Sequence, residues 1–183
     1  CAEITLPTGI DQHGQDRTAV CCLSSLNLET WDDWNGDKRF IEDVMRFLDN
    51  VLDDFIERAE PGMERAKYSA SRERSVGLGV MGFHTFLQAR GLPFEGAMAK
   101  SWNLRIFKQI SAQVNEASMA LAVERGPCPA AADMGVMERF SCQMANAPTA
   151  SVSIICGGTS ACIEPITAHA HTPKTLPGPR SRT

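Results

Sequence analysis

Arg74-Ser75-Val76-Gly77-Leu78-Gly79-Val80-Met81-Gly82-Phe83-His84 is the stretch on which the fold turns. Residues 77–82 spell G-x-G-x-x-G. As a dinucleotide fingerprint, that pattern needs a buried strand ending at the first glycine and a helix opening after the last. The residues before it, Ser69-Ala70-Ser71-Arg72-Glu73-Arg74-Ser75, are polar and make no buried strand. The candidate ribose-binding acid, Glu95, follows Pro93 in a loop instead of closing a second strand. An NAD-dependent oxidoreductase is therefore a poor reading. Val76 to Ala89 reads as an apolar helix closed by Gly91, with glycines that let helices pack closely.

Working outward, Phe40, Ile41, Val44, Phe47, Leu48, Val51, Leu52, Phe55 and Ile56 recur at helical spacing. They predict a helix over residues 37–59, with Asp37 as N-cap and Pro61-Gly62 as the stop. Its carboxylates Glu42, Asp43, Asp49, Asp53 and Asp54 read as a solvated face. Residues 64–74 read as a charged connector. On the other side, Ala99, Trp102, Ile106, Ile110, Val114, Ala117 and Leu121 mark a long amphipathic helix over 96–124, ended by Gly126-Pro127. Residues 130–140 add a short helix or turn. Near the N-terminus, two short β-prone runs (Ile4 to Leu6 and Val20 to Leu23) flank a polar loop at 9–17.

The bulk properties exclude several classes. A chain of 183 residues with 43% hydrophobic and 22% charged side chains has the composition of a soluble globular protein. A net charge of −4 argues against a phosphate-tracking nucleic-acid surface. No apolar run reaches the ~20 residues that span a bilayer. The seven cysteines are odd in number and include no C-x-x-C pair, so a disulfide framework or structural zinc site is not expected. A reducing, cytoplasmic setting fits better. His169 and His171 are a weak metal pair, and no metal is assigned. The start at Cys1 without a Met, and the proline-rich basic segment 173–183, suggest a piece of a longer polypeptide ending in a disordered tail.

Two places could carry chemistry. Cys1 stands two residues from Glu3, and Cys21-Cys22 follows on the second β-prone run. As bare patterns such thiols are more often small buried hydrophobes. Asn146-Ala147-Pro148-Thr149-Ala150-Ser151-Val152-Ser153 places hydroxyls after a proline turn. Such a segment can wrap a phosphate, especially if Thr149 or Ser151 caps a helix, or it can simply lead into a strand at Val152 to Ile155. The residues alone leave both open.

Five blocks decide more together than singly: Cys1-Ala-Glu-Ile-Thr-Leu-Pro-Thr8, Ala19-Val-Cys-Cys-Leu-Ser-Ser-Leu-Asn-Leu-Glu29, Arg74 to His84, Ala147-Pro-Thr-Ala-Ser-Val-Ser153 and Ile163-Glu-Pro165. In this order and with these gaps, over residues 1–167, the chain resembles the catalytic large subunit of ribonucleotide reductase, in wording closest to the class I enzymes. The resemblance implies part of a ten-stranded α/β barrel, helix-rich and incomplete as an isolated chain. It divides the sequence into a barrel segment, 1–167, and a divergent tail, 168–183. It puts Cys1 in the place of the thiyl radical that abstracts the 3′ hydrogen of a ribose. Glu3 matches the general base on the 3′-hydroxyl. Cys21 matches one of two thiols that close a disulfide, its partner lying outside this chain. Thr149, Ala150, Ser151 and Val152 match the loop holding the substrate phosphates.

The implied activity is reduction of ribonucleotides, as diphosphates, to deoxyribonucleotides. No cofactor is expected within the segment. The radical would come from a separate dimetal small subunit or, in a related branch, from adenosylcobalamin. Implied partners are the ribonucleotide, that small subunit, a thioredoxin- or glutaredoxin-type reductant, the missing parts of the same protein and a second copy in a homodimer; neither nucleic acid nor membrane is expected. The family's Asn before the radical cysteine, its effector sites and its downstream tyrosines are not in this sequence, so the segment alone is expected to be inactive. A non-catalytic helical binding module derived from the family is the rival reading.

Overall fold

The computed structural model describes residues 3–166 and two short paired strands, β5 (Lys174–Thr175) and β6 (Gly178–Pro179). Cys1 and most of the expected tail lie outside the described residues. The chain forms two compact units, residues 1–24, 37–78 and 107–145 in the first, and 25–36, 79–106 and 146–183 in the second.

In the first unit, β1 (Gly9–Ile10) and β2 (Asp16–Arg17) form an antiparallel hairpin within the expected loop. Asp11 shapes its turn. Its carboxylate accepts the His13 and Gln15 backbone N–H groups at 2.8 and 3.0 Å and the Tyr68 hydroxyl at 2.7 Å. β3 (Cys22–Asn27) pairs with β4 (Val76–Met81), and Leu78 of β4 makes a parallel bridge to Met144. All six residues of β4 are buried. A strand covered on both faces and bonded on both edges is an interior strand, not an edge.

That strand corrects the helix expected from Val76 to Ala89. The backbone runs extended to Met81, Gly82 turns it with φ 81°, and only α4 (Phe83–Ala89) is helical. A six-residue strand buried on both faces has no polar alternation, so its sequence cannot be told from a buried helix by periodicity. Gly77 and Gly79 sit inside the strand, not in the turn after it, and the dinucleotide geometry is not met.

α2 (Phe40–Arg58) lies within its expected bounds and buries Ile41, Met45, Leu48 and Leu52. α3 (Glu64–Glu73) is a helix where a connector was expected. Its buried residues are Ser69, Ala70 and Glu73, which give no apolar stripe to read. α5 (Ala97–Arg125) follows the predicted helix, and its Ile110, Val114 and Leu121 are fully buried. α6 (Pro129–Asp133) is the short helix expected after it.

Asp49 overturns the solvated-face reading at its own position. It is 0% exposed and accepts from Arg74 Nε at 2.8 Å, Arg125 Nη1 at 2.8 Å and Arg139 Nε at 3.0 Å. Arg139 Nη1 also donates to the carbonyls of Arg125 and Gly126 at 3.2 and 3.0 Å, satisfying acceptors left open at the end of α5. Arg74 ends α3 in the left-handed region at φ 45°. Burial pushes the Asp49 carboxyl up, but the hydrogen bonds from Arg139 and Arg74 outweigh it and hold it below the usual carboxylate value.

The second unit is built around α1 (Trp31–Trp34), α4 and the first part of α5, with Leu28, Trp31, Val80, Phe86, Leu87 and Ile106 buried. The Arg90 guanidinium lies 3.8 Å from the Phe86 ring centroid and pairs with Asp32. Gly82 is required twice over. It has a positive φ, and a Cβ there would meet Thr159 Oγ1 at 2.6 Å and Asn27 Oδ1 at 2.7 Å. Ser160 caps α4 from a distant part of the chain, its Oγ accepting the His84 and Thr85 N–H groups at 3.1 and 3.2 Å. Among the described residues the strands form no closed barrel, and no helix is long and apolar enough to cross a membrane.

Candidate active site

Of the candidate site residues, Glu3 and Cys21 belong to the first unit. Cys1 lies outside the described residues, and Glu3 sits half-buried in a bend. Cys21, also half-buried, immediately precedes β3, and its Sγ donates weakly to the Cys22 carbonyl at 3.7 Å. Burial pushes the Cys21 thiol up to about 12, with the neighbouring sulfurs of Cys142 and Cys22 adding to the effect. Burial raises Cys22 as well. Both thiols are free, with no disulfide between them. A thiol held neutral is a poor nucleophile at neutral pH, which shields it from stray alkylation and oxidation. The nearness of Cys142 to Cys21 was not legible in the sequence. It follows from β4, because Cys142 O accepts from Val76 N at 2.9 Å and Cys22 N donates to Ser75 O at 3.3 Å.

The phosphate-loop candidates belong to the second unit. Asn146 Oδ1 accepts the Val80 N–H at 3.2 Å and seats the segment on β4. Thr149 is buried and left-handed, at φ 50°. Its Oγ1 accepts the Cys162 N–H at 2.8 Å, so the hydroxyl fixes the loop and does not cap the helix that follows. That helix, α7 (Ala150–Ile155), replaces the strand that the β-branched Val152 to Ile155 allowed. Ala150, Ser151 and Val152 are exposed in its first turn. First-turn N–H groups have no intrahelical acceptor and stand at the positive end of the peptide dipoles, an arrangement suited to an anion.

The segment after the loop is tied to α4. Gly82 N donates to Ser160 O at 2.7 Å, Ser160 N to Thr85 Oγ1 at 2.9 Å, and Ile166 N to His84 Nδ1 at 2.8 Å. The last bond requires an unprotonated Nδ1, and burial holds the His84 imidazole below its ordinary value of 6.5. A lowered histidine stabilises its contacts above the unfolded value and loses that contribution as pH falls below it. Protection of the Ile166 amide, corrected for intrinsic exchange, is therefore expected to be full above pH 6.5 and to decline beneath it. A His84→Ala protein should show no such step. A parent protein whose Ile166 protection is flat from pH 7.5 to 5 would contradict the assignment.

Among the described residues, no group of three or more His, Cys, Asp or Glu side chains is arranged to hold a metal ion.

The family description "Ribonucleotide reductase, barrel domain" matches residues 1–135. The chain belongs to the ribonucleotide reductase barrel-domain family. Relatives extend the likeness over nearly the whole sequence. It is 48% identical over 178 residues to the ribonucleoside-diphosphate reductase large subunit of Invertebrate iridescent virus 6, covering 97% of this chain and 18% of that one. It is 35% identical over 161 residues to a vitamin B12-dependent ribonucleoside-diphosphate reductase of Mycobacterium tuberculosis, covering 83% of this chain and 22% of the relative. Among solved structures, the Actinobacillus ureae class Id ribonucleotide reductase alpha subunit matches with a TM-score of 0.78 at 37% identity, over 84% of this chain and 29% of that chain. The sequence thus spans less than a third of the length of each of these reductases. The helix-rich α/β fold agrees with that membership.

Proposed function

We propose that this chain is the part of a ribonucleotide reductase large subunit, residues 1–167, that carries the reacting thiol and the substrate-phosphate loop, with 168–183 a divergent tail. The observation that carries this reading is the 48% identity to a ribonucleoside-diphosphate reductase large subunit across 97% of the chain. The whole protein would complete the ten-stranded barrel and reduce ribonucleoside diphosphates in the cytoplasm, as a homodimer served by a thioredoxin- or glutaredoxin-type reductant.

In this reading Cys1, as a thiyl radical, takes the 3′ hydrogen of the ribose while the Glu3 carboxylate takes the proton of the 3′-hydroxyl. The 2′-hydroxyl then leaves as water. Cys21 and a thiol from outside this chain give up two electrons and two protons and close a disulfide, which the external dithiol reopens. Cys1 finally returns its hydrogen to C3′ as Glu3 returns its proton to the 3′ oxygen, which regenerates the thiyl radical and the carboxylate. The loop Thr149, Ala150, Ser151 and Val152, at the start of α7, receives the phosphates. The radical source, a dimetal small subunit or adenosylcobalamin, would supply the initial oxidising equivalent; the chain resembles both a class Id alpha subunit and a vitamin B12-dependent reductase.

Cys1→Ser in the full-length protein is expected to abolish deoxynucleotide formation while leaving nucleotide binding, measured by equilibrium dialysis, unchanged. Turnover near the parental rate would remove Cys1 from the radical role.

A further inference from the structure

Gly77 has an ordinary backbone conformation, so φ does not demand glycine there. Space does. A Cβ built on Gly77 would stand 2.4 Å from Leu23 Cδ2, 2.9 Å from Ala145 Cβ and 3.3 Å from Cys21 Sγ. These side chains come from two segments bonded to β4. Cys22 N donates to Ser75 O at 3.3 Å on one edge; on the other, Leu78 N donates to Gln143 O at 3.0 Å and Ala145 N to Leu78 O at 3.2 Å. The two neighbours therefore close over the hydrogen of Gly77, the close approach that a glycine inside a strand permits.

The three contacts differ in what they can yield. Leu23 is 48% exposed, and its tip can swing into solvent. Ala145 is buried, and its Cβ rides on a backbone bonded to β4. With Leu23 swung aside, a side chain at 77 is accommodated by a shift of the Ala145 segment and by a few tenths of an ångström of movement of the Cys21 sulfur.

We propose that Gly77 is the positioning residue of the Cys21 thiol: its missing side chain is the slot against which Cys21, Leu23 and Ala145 pack, and the slot fixes where the sulfur stands. The significance for turnover rests on Cys21 being the reductant proposed above; the packing does not. The first glycine of the dinucleotide-like motif thus serves a thiol, not a phosphate.

The test uses the full-length polypeptide with Cys22→Ser, so that Cys21 alone reports at this position. Adding Gly77→Ala is expected to speed alkylation of Cys21 by iodoacetamide at pH 8 on the order of tenfold, because a thiol pushed from its slot toward water regains thiolate. The fully buried Cys128, in the same unit, should label at its parental rate. Equal Cys21 rates with and without Gly77→Ala overturn the proposal. Faster labelling of both thiols overturns it too, since Gly77 would then serve the fold at large. If Gly77→Ala does not accumulate folded, Gly77→Ala with Leu23→Ala removes the worst overlap and keeps the Cys21 contact, and it is compared with Leu23→Ala alone by the same criteria. Normal turnover of a Cys21→Ser protein would remove the reductant role and leave the labelling result intact.

Discussion

Asp49→Asn is expected to lower the unfolding free energy by about 3–5 kcal/mol, the range for removing one partner of a buried ion pair. The amide keeps the shape and loses the charge. Arg74 and Arg139, whose side chains are 8% and 10% exposed, would then face each other without the carboxylate that offsets them. Asp53 still pairs with Arg74, but it is 44% exposed and does not replace a buried acceptor. Arg74 also holds a left-handed backbone that costs about 1–2 kcal/mol for an L-residue, so its anchor offsets strain as well as charge. A loss of this size is a large share of the 5–15 kcal/mol typical of a folded protein. Urea midpoints of parent and variant measure it. The sign with pH follows from the lowered carboxyl: the contribution is present above the ordinary value of 3.8 and is lost as pH falls through the folded one. A midpoint shift worth under about 1 kcal/mol would place the interaction among surface pairs.

With Cys21 as the reductant proposed above, Cys21→Ser in the full-length protein is expected to bring deoxynucleotide formation to background, because a hydroxyl cannot form the two-electron couple that a dithiol supplies. In a single turnover without external reductant, the parent protein should gain one disulfide containing the Cys21 peptide for each deoxynucleotide formed, seen by mass spectrometry after blocking free thiols. The partner peptide in that cross-link should come from outside residues 1–183. A Cys21–Cys142 cross-link in its place would reassign the partner to the neighbouring sulfur. A variant retaining parental turnover would exclude Cys21 as reductant.

The two long helices were legible because each carries an apolar stripe at helical spacing, and α2 and α5 lie close to the predicted bounds. β4 was not, since Val-Gly-Leu-Gly-Val-Met offers no polar residue to reveal a period of two. α3 was missed for the opposite reason: its buried side is a serine, an alanine and a glutamate. Asp49 read as one more surface acid, because its three arginine partners are 25, 76 and 90 residues away. At the candidate site, the residue types and their assignment came from five short blocks resembling one family. What those blocks could not convey is division of labour. Thr149 gave no sign that it also anchors its loop through the Cys162 amide, and Cys142 gave no sign of lying beside Cys21.

The tie between α4 and residues 160–166 has a consequence for how this part of the molecule opens. The first-turn amides of a helix are ordinarily released by fraying of that helix alone. Here the amides of His84 and Thr85 end on Ser160, while that of Ile166 ends on His84. Neither segment can detach without breaking the other's bonds. The start of α4 and the chain beyond the phosphate-loop candidate therefore form one cooperative opening unit, and their amides should exchange through a single shared event.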